Sequence, residues 1–357
     1  MIKRKSIMLL ITYKCNLHCS YCYEPKIQNF KMSVSKAKLL ISEYLNRFGK
    51  TSPVEIQFMG GEPLLEFSLI KEVSEWLWDN GFDKGDNMLF APTNGTLLND
   101  EMKEWFVSNK KRFTLGLSFD GDQVMQNTNR SDSYHKVDLK FFAATWPEQS
   151  VKMTISPSTV SHLAEGVSFL HATGFRYISA DLAMGPSVHW NKDSLLEYKY
   201  ALRKLSDYYL ENPDIIPFSM LRLNLSDVGT AKPSKTCGCG EDLICIDWTG
   251  KEYACHLFSP VSLPVDKANE SNLLYDFHNH QQFVSSICGK CLLYNLCSHC
   301  YGMNYLCTGD VTQSSAFHCK AFKILFVANV HFQMRKAMNN NDVRTLSRIN
   351  QIVSLIK

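Results

Sequence analysis

The thirteen cysteines fall in two groups with none between, and that distribution limits what this chain can fold into more than any other feature. Cys15, Cys19 and Cys22 form the first group, and the other ten lie between Cys237 and Cys319. An odd number cannot be consumed by disulfides alone. The basic start (Lys3, Arg4, Lys5) and the apolar run Ile7 to Ile11 imitate a secretion signal, but the run is too short. It also leads into Cys15 rather than a small-residue cleavage site. No stretch approaches the ~20 apolar residues of a membrane helix. These features predict a cytoplasmic protein, with thiols kept reduced and available to metals. With 38 basic and 35 acidic residues the net charge is +3, too even for a nucleic-acid or membrane-surface partner.

The 357 residues suffice for one large domain and a smaller one. Up to about residue 215, short β-rich runs alternate with amphipathic ones, the pattern of an α/β fold around a parallel sheet. Strands are expected at Ser6–Thr12, Val54–Met59, Met88–Pro92, Phe113–Phe119, Val151–Ser156 and Tyr177–Leu182. Helices are expected at Ser35–Phe48, Leu65–Asn80, Asp100–Lys110, Val137–Ala144, Val160–Thr173 and Lys192–Leu210. Asn99 reads as an N-cap and Gly174 as a helix stop. Six βα repeats are too few for an eightfold barrel; a partial barrel and an open doubly wound sheet both fit, and periodicity does not choose. Residues 218–320 are rich in Cys, Gly and short strands with few long periodic segments, as in a fold held by metal clusters. Residues 320–337 and 342–356 read as helical. The expected division is therefore 1–217, 218–320 and 321–357.

Residues 12–24 read Thr-Tyr-Lys-Cys-Asn-Leu-His-Cys-Ser-Tyr-Cys-Tyr-Glu, so the spacing is Cys-x3-Cys-x2-Cys. Three thiolates on one short loop can hold three irons of a cubane cluster and leave the fourth open to another ligand. A zinc knuckle with His18 as fourth ligand, or ordinary buried thiols, would use the same residues. Further along, residues 58–65 read Phe-Met-Gly-Gly-Glu-Pro-Leu-Leu, followed by Thr93-Asn94-Gly95 and Ser118-Phe119-Asp120-Gly121. Each motif stands at the carboxyl end of an expected strand, where α/β folds place ligands.

With its Cys-x3-Cys-x2-Cys loop and Gly-Gly-Glu-Pro motif, the chain resembles the radical S-adenosylmethionine superfamily. The resemblance implies a partial (β/α)6 TIM barrel and a [4Fe–4S] cluster on Cys15, Cys19 and Cys22. It also implies S-adenosylmethionine bound by Tyr21, Gly60, Gly61, Glu62, Thr93, Asn94, Ser118 and Asp120. Glycines would let backbone approach the methionine end of the ligand, and Glu62 could accept from its amino group. In that family the reduced cluster cleaves the C5′–S bond, and the 5′-deoxyadenosyl radical abstracts a substrate hydrogen. A flavodoxin- or ferredoxin-type electron donor is implied.

The later cysteines run Cys239-x5-Cys245-x9-Cys255, then Cys288-x2-Cys291-x5-Cys297-x2-Cys300, then Cys319, with Gly250 ahead of Cys255. This resembles the SPASM extension of the same superfamily, which holds two auxiliary [4Fe–4S] clusters and makes three in all. Carried over by order, Cys239, Cys245, Cys255 and Cys300 would ligate one cluster, and Cys288, Cys291, Cys297 and Cys319 the other. Two residues separate Cys297 from Cys300 where three are typical, which puts Cys300 in question and leaves room for an open cluster site. A zinc ribbon is the alternative, although its x15–20 gap is absent here. Cys237 and Cys307 are left over.

SPASM proteins mostly modify peptides or proteins, so a peptide or protein substrate is implied. The Cys-x-Tyr-Cys-Tyr run at residues 19–23 resembles sulfatase maturases, which typically place Asp directly after the Gly-x4-Cys cysteine. Here that position is His256, and Cys-His-x-Phe resembles maturases of ribosomally made peptides that install thioether or carbon–carbon crosslinks. His256 is the candidate acid or base, with cluster tuning as its other possible job. The chain's start leaves no room for a leader-recognition domain of the usual size, so a separate leader-peptide recognition protein is one expected partner. Formylglycine formation and radical chemistry on a small molecule remain as alternatives.

Overall fold

The computed structural model describes residues 4–24, 30–48, 52–229 and 233–356. Its strands are β1 (Lys5–Thr12), β2 (Val54–Gly60), β3 (Met88–Thr93), β4 (Phe113–Leu117), β5 (Val151–Ile155), β6 (Ile178–Leu182), β7 (Leu243–Ile246) and β8 (Glu252–Tyr253). Helices α1 to α5 are Val34–Phe48, Phe67–Asp79, Asp100–Asn109, Gln123–Asn129 and Leu139–Thr145. Helices α6 to α11 are Leu163–Thr173, Lys192–Glu211, Val265–Leu274, Tyr301–Thr308, Ala316–Asn339 and Val343–Ile356. The six expected βα strands are all present, each within a residue or two of its expected ends. The expected ends agree where capping chemistry is explicit: Asn99 Oδ1 accepts from the Met102 amide, and Gly174 ends α6 at φ +111°. Helix α4 went unseen because its seven residues, Gln-Val-Met-Gln-Asn-Thr-Asn, are too few and too polar to show a period.

Contacts divide the chain into two compact units. The first comprises residues 1–118, 130–149 and 238–278. Its sheet has the order β4-β3-β2-β1-β7-β8, parallel throughout except for β8 against β7. Along β2, Val54, Ile56 and Phe58 are fully buried and alternate with half-buried Glu55, Gln57 and Met59. One face of the sheet is therefore core and the other polar, which suits a sheet that borders a site. Phe58 stacks on Phe113, and Phe106 and Trp105 pack edge-on or tilted against the same ring, joining α3 to β2 and β4. Strand β7 is one of the short strands expected in residues 218–320, whose place the sequence does not give. It comes from the cysteine-rich stretch and lies along β1 with Met8 opposite Cys245.

The second unit comprises residues 119–129, 150–237 and 279–357. It pairs β5 with β6 in parallel and packs α7 against α6 and α10. The fully buried Asn329 of α10 bonds the Met220 carbonyl and the Leu223 amide, fixing the chain that leaves α7. Short 3-10 turns fill most of residues 280–296. Among the described residues no helix is long and apolar enough to cross a membrane.

Candidate active site

The cysteine loop leaves the end of β1 and is fastened to two neighbouring loops of the first unit. The Gly61 amide donates to Thr12 O at 3.3 Å, and the Glu62 amide to Lys14 O at 2.8 Å. A Cβ on Gly60 would lie 2.1 Å from Thr12 O, and one on Gly61 would lie 2.4 Å from Lys14 O. Gly60 also sits at φ +156°. Both positions are glycine because the backbone of the cysteine loop crosses directly over them.

Glu62 is 1% exposed, and its carboxylate collects three donors. Oε1 accepts from the Leu64 amide (3.0 Å) and the Thr93 hydroxyl (2.9 Å), while Oε2 accepts from the Asn94 amide (2.8 Å). Burial lifts its pKa to about 7, against the pull of these bonds and of the Arg130 charge. The side chain thus buckles the Gly-Gly-Glu-Pro loop to the Thr-Asn-Gly loop. Asn94 donates onward to Asn16 Oδ1 at 2.9 Å, and Asn16 donates to Thr96 at 2.7 Å, tying the residue after Cys15 to the same loop. The Ser118 amide closes the group on Thr93 O at 2.8 Å.

Cys15, Cys19 and Cys22 are all half-buried. The Leu17 amide points at Cys15 Sγ (3.4 Å), and the Cys22 amide at Cys19 O (3.1 Å). The Arg130 guanidinium lies over the Tyr21 ring at 5.5 Å. The hydroxyl of Tyr23, next to Cys22, meets His256 Nε2 at 2.9 Å. His256 Nδ1 is enclosed without a hydrogen-bond partner, and burial pushes the imidazole down to about 4. At pH 7 it is therefore a neutral hydrogen-bonding group rather than a proton store.

Tyr21, Gly60, Gly61, Glu62, Thr93, Asn94 and Ser118 all belong to the first unit. Asp120 lies in the second, fully buried, where its Oδ1 accepts from the Thr154 amide at 2.9 Å and anchors β5. The later cysteines also divide. Cys239, Cys245 and Cys255 are buried in the first unit, and burial together with the neighbouring Cys255 holds the Cys245 thiol well above its ordinary range. Cys300 is in the second unit, raised to about 11 by burial and by Cys237.

Cys297 is pushed up to about 12 by burial and by the charges of Cys288, Cys319 and Cys291, so these four thiols stand together. His318 Nε2 lies 3.5 Å from Cys297 Sγ. Among the described residues no three His, Cys, Asp or Glu side chains gather as ligands of a single ion do. A cubane cluster asks for something else: thiolates spread around a larger body, whose iron charge offsets their mutual repulsion. The set at Cys15, Cys19 and Cys22 and the set around Cys297 fit such a group by their chemistry, since all their donors are thiols, and burial makes the Cys297 thiol costly to ionise without a cation. Sequence reasoning missed Tyr23, Asn16, Arg130 and Ser131, whose parts depend on long-range neighbours.

Residues 5–134 match the family model described as a 4Fe-4S single cluster domain. An uncharacterized protein of Methanocaldococcus jannaschii is 30% identical over 184 residues, which are 50% of this chain and 62% of that protein, less than two thirds of its length. The cysteine-type anaerobic sulfatase-maturating enzyme of Clostridium perfringens is 21% identical over 350 residues, 87% of this chain and 92% of that enzyme. Among solved structures, anSMEcpe with bound AdoMet and Cp18Cys peptide aligns with TM-score 0.69 at 18% identity, covering 98% of this chain and 99% of that one. Streptococcus suis SuiB bound to precursor peptide SuiA aligns with TM-score 0.61 at 15% identity, covering 90% and 76%. The fold is thus an α/β fold with mostly parallel strands, shared with anSMEcpe and SuiB. The chain is similar over residues 5–134 to a 4Fe-4S cluster domain, and over most of its length to a sulfatase-maturating enzyme, with anSMEcpe and SuiB as structural neighbours.

Proposed function

We propose that the chain is a radical S-adenosylmethionine peptide maturase with one cluster on Cys15, Cys19 and Cys22 and two auxiliary [4Fe–4S] clusters. The observation that carries this reading is the fastening of the three-thiol loop, through Gly61, Glu62 and Asn94, to loops at the ends of β2 and β3. When bound, the cluster and S-adenosylmethionine supply a 5′-deoxyadenosyl radical that takes hydrogen from the substrate. The protein's part is to hold, orient and exclude water. Arg130, buried beside Tyr21 and within the field of Glu62, suits a carboxylate group. Backbone of the Gly60–Glu62 segment and the Thr93–Asn94 turn would frame the rest of the ligand. His256, neutral and oriented by Tyr23, would offer Nδ1 to a substrate polar group.

A peptide substrate is favoured because the neighbours anSMEcpe and SuiB are each described with a bound peptide. The modification we favour is a crosslink of thioether or carbon–carbon type, because His256 follows Cys255 where a sulfatase maturase typically has Asp. Formylglycine formation is the second reading, supported by the similarity to the Clostridium perfringens enzyme over most of both chains. We place the protein in the cytoplasm, with residues 218–320 as the auxiliary-cluster region, a flavodoxin- or ferredoxin-type donor, and a separate leader-recognition partner.

Iron and acid-labile sulfide in anaerobically purified protein test this. About twelve irons per chain are expected, falling by about four in the Cys15/Cys19/Cys22→Ala variant. The reduced wild type should convert S-adenosylmethionine to 5′-deoxyadenosine, and a short peptide encoded beside the gene should change mass. Stoichiometric zinc with little iron would overturn the reading.

A further inference from the structure

Two consecutive residues other than glycine hold a left-handed backbone: Ser131 at φ 54° and Asp132 at φ 50°. A Cβ makes this conformation costly, and it persists only where surrounding contacts impose it. The surroundings here are the cysteine loop. Ser131 Oγ accepts from the His18 amide at 2.8 Å, and the preceding residue, Arg130, covers the Tyr21 ring. His18 immediately precedes Cys19, and Tyr21 immediately precedes Cys22. One turn therefore grips the chain directly before the second and third thiols. The first has its own fastening, since Asn16 after Cys15 is tied to Asn94 and Thr96.

We propose that Arg130, Ser131 and Asp132 form a strained clamp on the cysteine loop, with Ser131 as a positioning residue for the cluster borne by Cys15, Cys19 and Cys22. This rests on reading those cysteines as cluster ligands. Holding the His18 amide fixes the peptide plane that leads into Cys19, so its sulfur keeps one direction whether or not iron is present. A relaxed right-handed turn would carry the Ser131 hydroxyl away from that amide. The strain is the consequence of keeping the acceptor in place.

The test uses the full chain, loaded with clusters under anaerobic conditions, as wild type, Ser131→Ala and Ser131→Asn. Asparagine tolerates the left-handed region and carries an oxygen that can accept from His18. Iron withdrawal by the ferrous chelator bathophenanthroline is followed in time. The change in the reduced protein's EPR spectrum on adding S-adenosylmethionine is recorded, together with the Tm of each metal-free chain. For Ser131→Ala, about four irons should leave about tenfold faster, as expected for one lost hydrogen bond, and the EPR response should weaken. Ser131→Asn should restore both, and the metal-free Tm should hardly move.

Wild-type behaviour of Ser131→Ala would overturn the proposal. So would failure of Ser131→Asn to rescue, or faster loss from every cluster accompanied by a lower metal-free Tm. If wild type and the triple cysteine variant hold equal iron, the reading of the ligands fails first and the clamp with it.

Discussion

Tyr23 Oη and His256 Nε2 meet at 2.9 Å, joining the residue after Cys22 to the residue after Cys255. The two residues are 233 positions apart in the chain. A neutral imidazole with one nitrogen on a phenol has a fixed ring orientation, so its other nitrogen offers a directed contact.

Removing that contact separates orientation from cluster binding. Tyr23→Phe should keep its full iron and its rate of S-adenosylmethionine cleavage, yet lose about tenfold in modified peptide per cofactor cleaved. Product and 5′-deoxyadenosine measured in the same sample decide it. An unchanged ratio would mean that His256 does not depend on Tyr23.

The Gly-Gly pair should tolerate no side chain. Gly60→Ala places a Cβ against Thr12 O at 2.1 Å on a backbone that disfavours L residues. It should cost about 3 kcal/mol in urea unfolding of the metal-free chain, and the variant should bind less iron at the first site. Gly85→Ala meets nothing within 4 Å and serves as the comparison, although its own φ of +114° gives it a smaller loss.

Glu62 gives a pH signature. Its carboxyl is raised from 4.5 to about 7 in the fold, chiefly by burial, so the folded state holds this proton more tightly than the unfolded chain does. The stability it contributes is fully present below about pH 4.5 and is lost as pH rises through about 7. Wild type should therefore lose up to about 3 kcal/mol relative to Glu62→Gln between pH 4.5 and 8, measured on the metal-free chain. A pH-independent difference would mean that the carboxylate titrates as it does in water.

The four thiols around Cys297 should act as a set. Cys297→Ala should remove about four irons per chain while leaving S-adenosylmethionine cleavage in place. Cys307→Ala should leave the iron count unchanged. Metal analysis of the two variants side by side distinguishes a cluster ligand from a bystander thiol.

The order of strands and helices was legible because each apolar run in the first 215 residues is long enough to show its period, and because Asn99 and Gly174 mark helix ends chemically. The motif residues were legible as a group, and all but Asp120 surround the cysteine loop in one unit. Their individual jobs were not. Gly60 and Gly61 suggested room for a ligand, whereas their nearest neighbour is the backbone of Thr12 and Lys14. Glu62 suggested a hand extended to the cofactor, whereas its oxygens hold Leu64, Thr93 and Asn94. Such roles depend on which backbone passes overhead, and linear spacing does not encode that. Ser131 and Asp132 left no signal either, since a left-handed serine looks like any other in the sequence.

Strand β7 places Leu243–Ile246 along Ser6–Leu9, a stretch whose Ile7 and Leu9 are fully buried. Cutting the chain after residue 217 would strip that partner away and leave the amides and carbonyls of an apolar strand bare, a surface that invites aggregation. The segment that bears Cys245 is therefore part of the sheet and not a detachable tail. A descendant of this chain could lose its later cysteines one at a time, but it could not discard the segment that bears Cys245 and still fold.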